Sequence, residues 1–122
     1  PPMWTKSRAP GFLAADGKIY FAPCRAEQVL VIDPEASTTR MLGPRIQGWE
    51  KYRNPGILAA NGRIYFAPDS ATQVLIVDPE ASTVQTMALE NPGESYTKGL
   101  LTGSGKIIFA PAEGRHALMI DP

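Results

Sequence analysis

The chain has 122 residues with 12 basic and 12 acidic side chains, so no net field draws it to nucleic acid or to an anionic membrane. No apolar run reaches the roughly 18 residues that a membrane-spanning helix needs, and the single cysteine, Cys24, excludes a disulfide within the chain. The hydrophobic content of 43% suits an ordinary core, and the 12 prolines and 11 glycines imply many turns rather than disorder. No signal-peptide pattern opens the sequence.

From the N-terminus, residues 1–10 form a connector that leads into a first short strand at 11–15. Asp16-Gly17 then marks a tight turn, because such dipeptides between apolar runs supply the positive φ that a hairpin needs. A second strand is expected at 18–22, ended by Pro23, which lacks a ladder donor. A third is expected at 28–32. There Val29-Leu30-Val31-Ile32 is continuously apolar, which implies burial on both faces. Asp33-Pro34 sets the next turn, since aspartate accepts from the backbone two residues on and proline fixes φ, and a fourth strand fits 38–42.

The same series then starts again. Residues 11–38 match residues 56–83 at 20 of 28 positions, with the equivalent strands at 56–60, 63–67, 73–77 and 83–89. A third, more divergent copy spans 99–122, matches the second at 10 of 24 positions, and places strands at 99–103, 106–110 and 116–120. The offsets are 45 and then 43 residues, and repeats of this length build stacked supersecondary units. One repeat domain is therefore expected, with units at 11–42, 56–89 and 99–122 and connectors at 1–10, 43–55 and 90–98.

The run Gly62-Arg63-Ile64-Tyr65-Phe66-Ala67-Pro68, followed by Gln73-Val74-Leu75-Ile76-Val77-Asp78-Pro79-Glu80 and then Ser82-Thr83-Val84, resembles the blade signature of YVTN-type and related NHL-like β-propellers. The likeness covers all three copies. It implies an all-β fold of four-stranded antiparallel blades, and says little about activity, because propellers host many functions. Propellers usually close with about four to eight blades, whereas this sequence holds three units, the last ending at Asp121-Pro122 before a fourth strand. The ring is then completed either by a second chain, giving six blades (a third would give nine), or by further blades of a longer chain. A homodimer is the expectation, because an open stack leaves apolar faces in water. A single-chain β-trefoil is the rival fold, since it too uses three repeats of about 40 residues; the two-faced apolar strands oppose it.

Most candidate chemistry reduces to structure. His116, the sole histidine, takes the repeat position of Gln28 and Gln73, which reads as a polar strand start. Cys24 aligns with Asp69 and Ala112, a freely varying loop position. Asp33, Asp78 and Asp121 serve turns, while Tyr20, Tyr65, Phe21, Phe66 and Phe109 read as core aromatics. No metal or cofactor is expected.

The connectors are the exception. The resemblance puts them on the same face as the loops between second and third strands, at the mouth of a central channel. That face would carry Lys6, Arg8, Lys51, Arg53 and Lys98, with Trp4 and Trp49 as flat partners and Arg25 and Arg115 nearby. Such a set fits a small anionic ligand or a protein partner, opposed by Glu50, Glu94 and Glu113 on the same face. The leading reading is a non-catalytic scaffold or binding module that self-associates. The alternatives are a propeller enzyme of the lyase or lactonase-type hydrolase kind, and a duplicated or engineered propeller segment without a ligand.

Overall fold

The computed structural model describes residues 10–48, 51–69, 71–89, 94–112 and 114–122. Within them the chain forms three antiparallel sheets. The first holds β1 (Phe12–Leu13), β2 (Ile19–Phe21), β3 (Val29–Asp33) and β4 (Thr38–Leu42) in that order. The second holds β5 (Ile57–Leu58), β6 (Ile64–Phe66), β7 (Gln73–Asp78) and β8 (Thr83–Ala88). The third holds β9 (Tyr96–Leu101), β10 (Ile107–Pro111) and β11 (Leu118–Ile120).

The hairpin turns explain themselves residue by residue. Ala14 N donates to Lys18 O at 2.9 Å and Gly17 N to Ala14 O at 3.0 Å. Only the glycine takes positive φ, at 84°, and Gly62 and Gly105 repeat it at 83° and 89°. The residue before it works through its side chain instead: Asp16 Oδ1 accepts from Lys18 N at 2.9 Å, and Asn61 Oδ1 from Arg63 N at 3.0 Å. The third copy has serine there and substitutes Thr102, whose Oγ1 accepts from Lys106 N at 3.1 Å. The aspartates that end β3 and β7 cap their turns: Asp78 Oδ1 accepts from Glu80 N and Ala81 N at 3.1 and 3.2 Å, and Asp33 Oδ1 from Ala36 N at 3.3 Å.

Each sheet has two distinct faces. The register pairs Ile19 with Ile32 and Phe21 with Leu30 on what we call the front face, and Tyr20 with Val31 on the back face. The back face of the first sheet (Tyr20, Ala22, Val29, Val31, Leu42) packs on the front face of the second (Ile64, Phe66, Leu75, Val77) in one apolar cluster. The back face of the second (Tyr65, Ala67, Val74, Ile76) packs on the front face of the third (Ile107, Phe109, Ile120) in another. Val74, Leu75, Ile76 and Val77 are thus all buried, as a strand covered on both sides must be. A Cβ on Gly56 would come within 2.6 Å of Phe66 Cε2, so the bare backbone there lets the β6 ring lie flat against the start of β5.

The third copy departs from the expected strand limits. β9 runs over Tyr96–Leu101 rather than 99–103, because the ladder continues past a bulge between Phe109 and Pro111 to pair Pro111 with Tyr96. Proline at a strand end beside a bulge costs no ladder bond.

Candidate binding face

The three sheets present two different ends. One carries the tight turns; the other carries the loops after β2, β6 and β10 and the connectors between sheets. Lys51 organises the loop end. Its backbone N–H donates to Cys24 O at 3.0 Å in the first sheet's loop, and its carbonyl accepts from Asp69 N at 2.7 Å in the second sheet's loop. The residue is a bracket between neighbouring sheets.

The side chain of Lys51 follows the same logic. The residue is 1% exposed and Nζ donates to Gly48 O at 3.0 Å. Burial pulls its pKa below the ordinary lysine value, against the opposing fields of Cys24 and Glu27. Beside it, Tyr52 is fully buried and its hydroxyl donates to Gln73 O at 2.7 Å, while Asn54 Nδ2 donates to Tyr96 O. Burial pushes the Tyr52 phenol well above its usual value. Tyr52 falls within the connector at 43–55, and its partner lies 21 residues on, in the second sheet.

The remaining charges are largely paired across the end. Arg45 Nη1 lies 3.2 Å from Glu27 Oε2. Arg53 Nη1 lies 3.7 Å from Asp69 Oδ2, with about half of the arginine side chain in water. Glu94 Oε1 accepts from Arg115 N at 3.2 Å and faces His116 Nδ1 at 3.0 Å. Hydrogen bonds from His116 and from the Arg115 amide hold the Glu94 carboxyl below its usual range. Nothing in the sequence marked Glu94 and His116 as partners; 22 residues and a bulged strand separate them.

The expected anion-binding set therefore divides. Lys51 is interior, Arg53 is half-exposed and Lys98 is exposed on β9. Trp4, Lys6, Arg8 and Trp49 lie outside the described residues. Arg115 is exposed at the same end, and Cys24 is completely buried. Among the described residues, no three His, Cys, Asp or Glu side chains cluster as a metal site would.

No known protein family and no curated protein matches the sequence. Solved structures do match. Virginiamycin B lyase from Staphylococcus aureus superposes with a TM-score of 0.74 at 13% identity, over 95% of this chain and 38% of the lyase. A streptogramin B lyase gives 0.70 at 16% identity, over 90% of this chain and 36% of that one. The extracellular domain of BT4673 from B. thetaiotaomicron gives 0.70 at 10% identity, over 93% of this chain and 15% of that one. The fold is that of a β-propeller. The three sheets are its blades, and the chain spans less than two-fifths of the length of the lyases that it matches.

Proposed function

We propose that this chain is a non-catalytic β-propeller scaffold, of the YVTN/NHL-like kind, whose terminal blades join front to back with those of a second copy to close a ring. One observation supports the reading most directly: several repeat positions that are sealed inside the chain are more exposed at its two ends, although Leu30 of the front face stays 4% exposed. Ile64, Phe66 and Val77 of the second blade are each 0% exposed, whereas Ile19, Phe21 and Ile32, their counterparts on the front of the first, are only half-buried. On the back of the third blade Met119 is 59% exposed, against 1% for Val31 and 8% for Ile76 at the same position. Leu100, across β10 on the same face, is 58% exposed. Covering each of these side chains is worth about 1–2 kcal/mol. The free back face has the same parity and register as the two back faces already buried, so a free front face is its natural partner.

Sedimentation equilibrium tests this. A species of twice 13.2 kDa is expected at micromolar concentration, and a persistent monomer at hundreds of micromolar would overturn the proposal. Recognition is assigned to the loop end. Arg53, Lys98 and Arg115 offer the exposed cations there for a small anion or a protein partner, in a ring that doubles the set. Calorimetric titration with phosphorylated and carboxylated metabolites checks this part.

A propeller lyase is the second reading. Besides the fold likeness, it is favoured by the Glu94–His116 pair, a histidine that is 57% exposed and oriented by a carboxylate at the loop end. Incubation with virginiamycin B, followed by chromatography, decides it: unchanged compound removes this reading, and turnover abolished in His116→Ala supports it.

A further inference from the structure

The tight-turn end holds a recess between the first two blades. Its volume is about 460 Å³, and Ala14, Ala15 and Asp16 of the first blade line it together with Leu58, Pro79 and Glu80 of the second. Leu58 stands opposite Ile64 in the β5–β6 ladder, on the face that turns to the first blade. Ile64 is sealed there, while Leu58, across the gap from Ala14 and Ala15, stays 43% exposed. An apolar wall thus remains open inside a hollow of the size that small ligands occupy, about 300–1,000 Å³.

The charge in the recess has one sign. Asp16 and Glu80 are the charged residues among those described that line it. Arg63, next to the lining Gly62, is drawn onto Asp78, with Nε 3.6 Å from Oδ2. Asp16 is held in place by Lys18 N, which donates to Oδ1 at 2.9 Å, and by the Tyr20 hydroxyl, which donates to Oδ2 at 3.0 Å. Each of its oxygens keeps a further acceptor site. Glu80 extends from a turn pinned by its own N–H, which donates to Asp78 Oδ1 at 3.1 Å. The second blade has Asn61 at the repeat position of Asp16, so the paired carboxylates belong to this crevice and are not a requirement of the fold.

We propose that this recess binds a small organic ammonium ion, whose hydrocarbon part covers Leu58 and Pro79 and whose N–H groups donate to Asp16 and Glu80. An anion would meet two carboxylates, and a neutral apolar molecule would desolvate both without a counter-charge. The site stands apart from the loop end, where the cations of the proposed anion site lie, and both of its walls come from one chain.

The test titrates phenylethylammonium into the intact, isotope-labelled protein at neutral pH and follows the amide shifts by NMR. Saturable shifts are expected at residues 14–17, 58–62 and 80, with a dissociation constant in the low millimolar range. Phenylethyl alcohol, of the same shape without the charge, should bind about tenfold more weakly, and phenylpropanoate should not bind. Asp16→Asn should weaken the ammonium about threefold, and so should Glu80→Gln. Both variants keep the fold: Asn61 already serves the equivalent turn in the second blade, its Oδ1 accepting from Arg63 N at 3.0 Å, and Glu80 is exposed. Leu58→Lys, at an exposed position, should abolish binding. No saturation at about 20 mM ammonium, equal affinity for the alcohol, or undiminished affinity in the variant carrying both Asp16→Asn and Glu80→Gln would each overturn the proposal. Ammonium chloride reproducing the shifts would overturn it as well, by reducing the site to unspecific surface charge.

Discussion

Ile19 and Ile64 are the same residue at the same repeat position in two environments, and substituting each by alanine separates the internal core from the free face. Ile64 is 0% exposed between two blades. Removing its three outer carbons forfeits about 2.4 kcal/mol of transfer free energy, and a residual cavity brings the cost to about 3–4 kcal/mol. Ile19 lies on the front face of the first blade and is half-buried, so the same truncation should cost about 1–1.5 kcal/mol in the monomer. Urea denaturation followed by circular dichroism, at protein concentrations below the association range, should therefore separate the two variants by about 2 kcal/mol. Repeated at concentrations where copies associate, the penalty at Ile19 should grow toward that at Ile64, while the Ile64 penalty stays fixed. Equal penalties at low concentration would show the front face of the first blade to be sealed within the chain, and the case for front-to-back joining would collapse.

Three further outcomes are expected. Gly105→Ala, at φ 89°, should lose about 1 kcal/mol, while Gly103→Ala, two residues away with no positive φ and open space around a Cβ, should lose nothing; thermal melts compare them. The depressed Glu94 pKa means that its contribution to stability is present above the usual glutamate range and disappears as pH falls through the lowered value, so Glu94→Gln should flatten the acid side of a plot of Tm against pH between 7 and 3. Burial, aided by the 3.0 Å hydrogen bond to Asp16, pushes the Tyr20 phenol from 10 up to about 12; stability present below pH 10 should fall as pH rises toward 12, and Tyr20→Phe should make that alkaline decline shallower.

The architecture was legible because its signals are local and written repeatedly. Asp16-Gly17 and Asn61-Gly62 announce their hairpins, and Val74-Leu75-Ile76-Val77 announces a strand covered on both sides. The loop end was less legible because its contacts run between copies. Lys51 reads in the sequence as an anion-binding cation, whereas its backbone bridges Cys24 and Asp69, one in the loop after β2 and the other in the loop after β6. Glu94 and His116 lie 22 residues apart, and the register shift between Phe109 and Pro111 is marked by no dipeptide. The start of β9 was misplaced for the same reason.

The two flat sides of the chain differ, with Ile19 and Phe21 on one and Leu100 and Met119 on the other, so the front-to-back joint proposed above would have no two-fold axis of its own. Growth through such joints would halt only when the last arrival met the first molecule. The tilt from blade to blade, rather than the strength of the joint, therefore separates a wheel from an endless spiral. Substitutions that alter that tilt without weakening the contact would turn a discrete particle into a fibre.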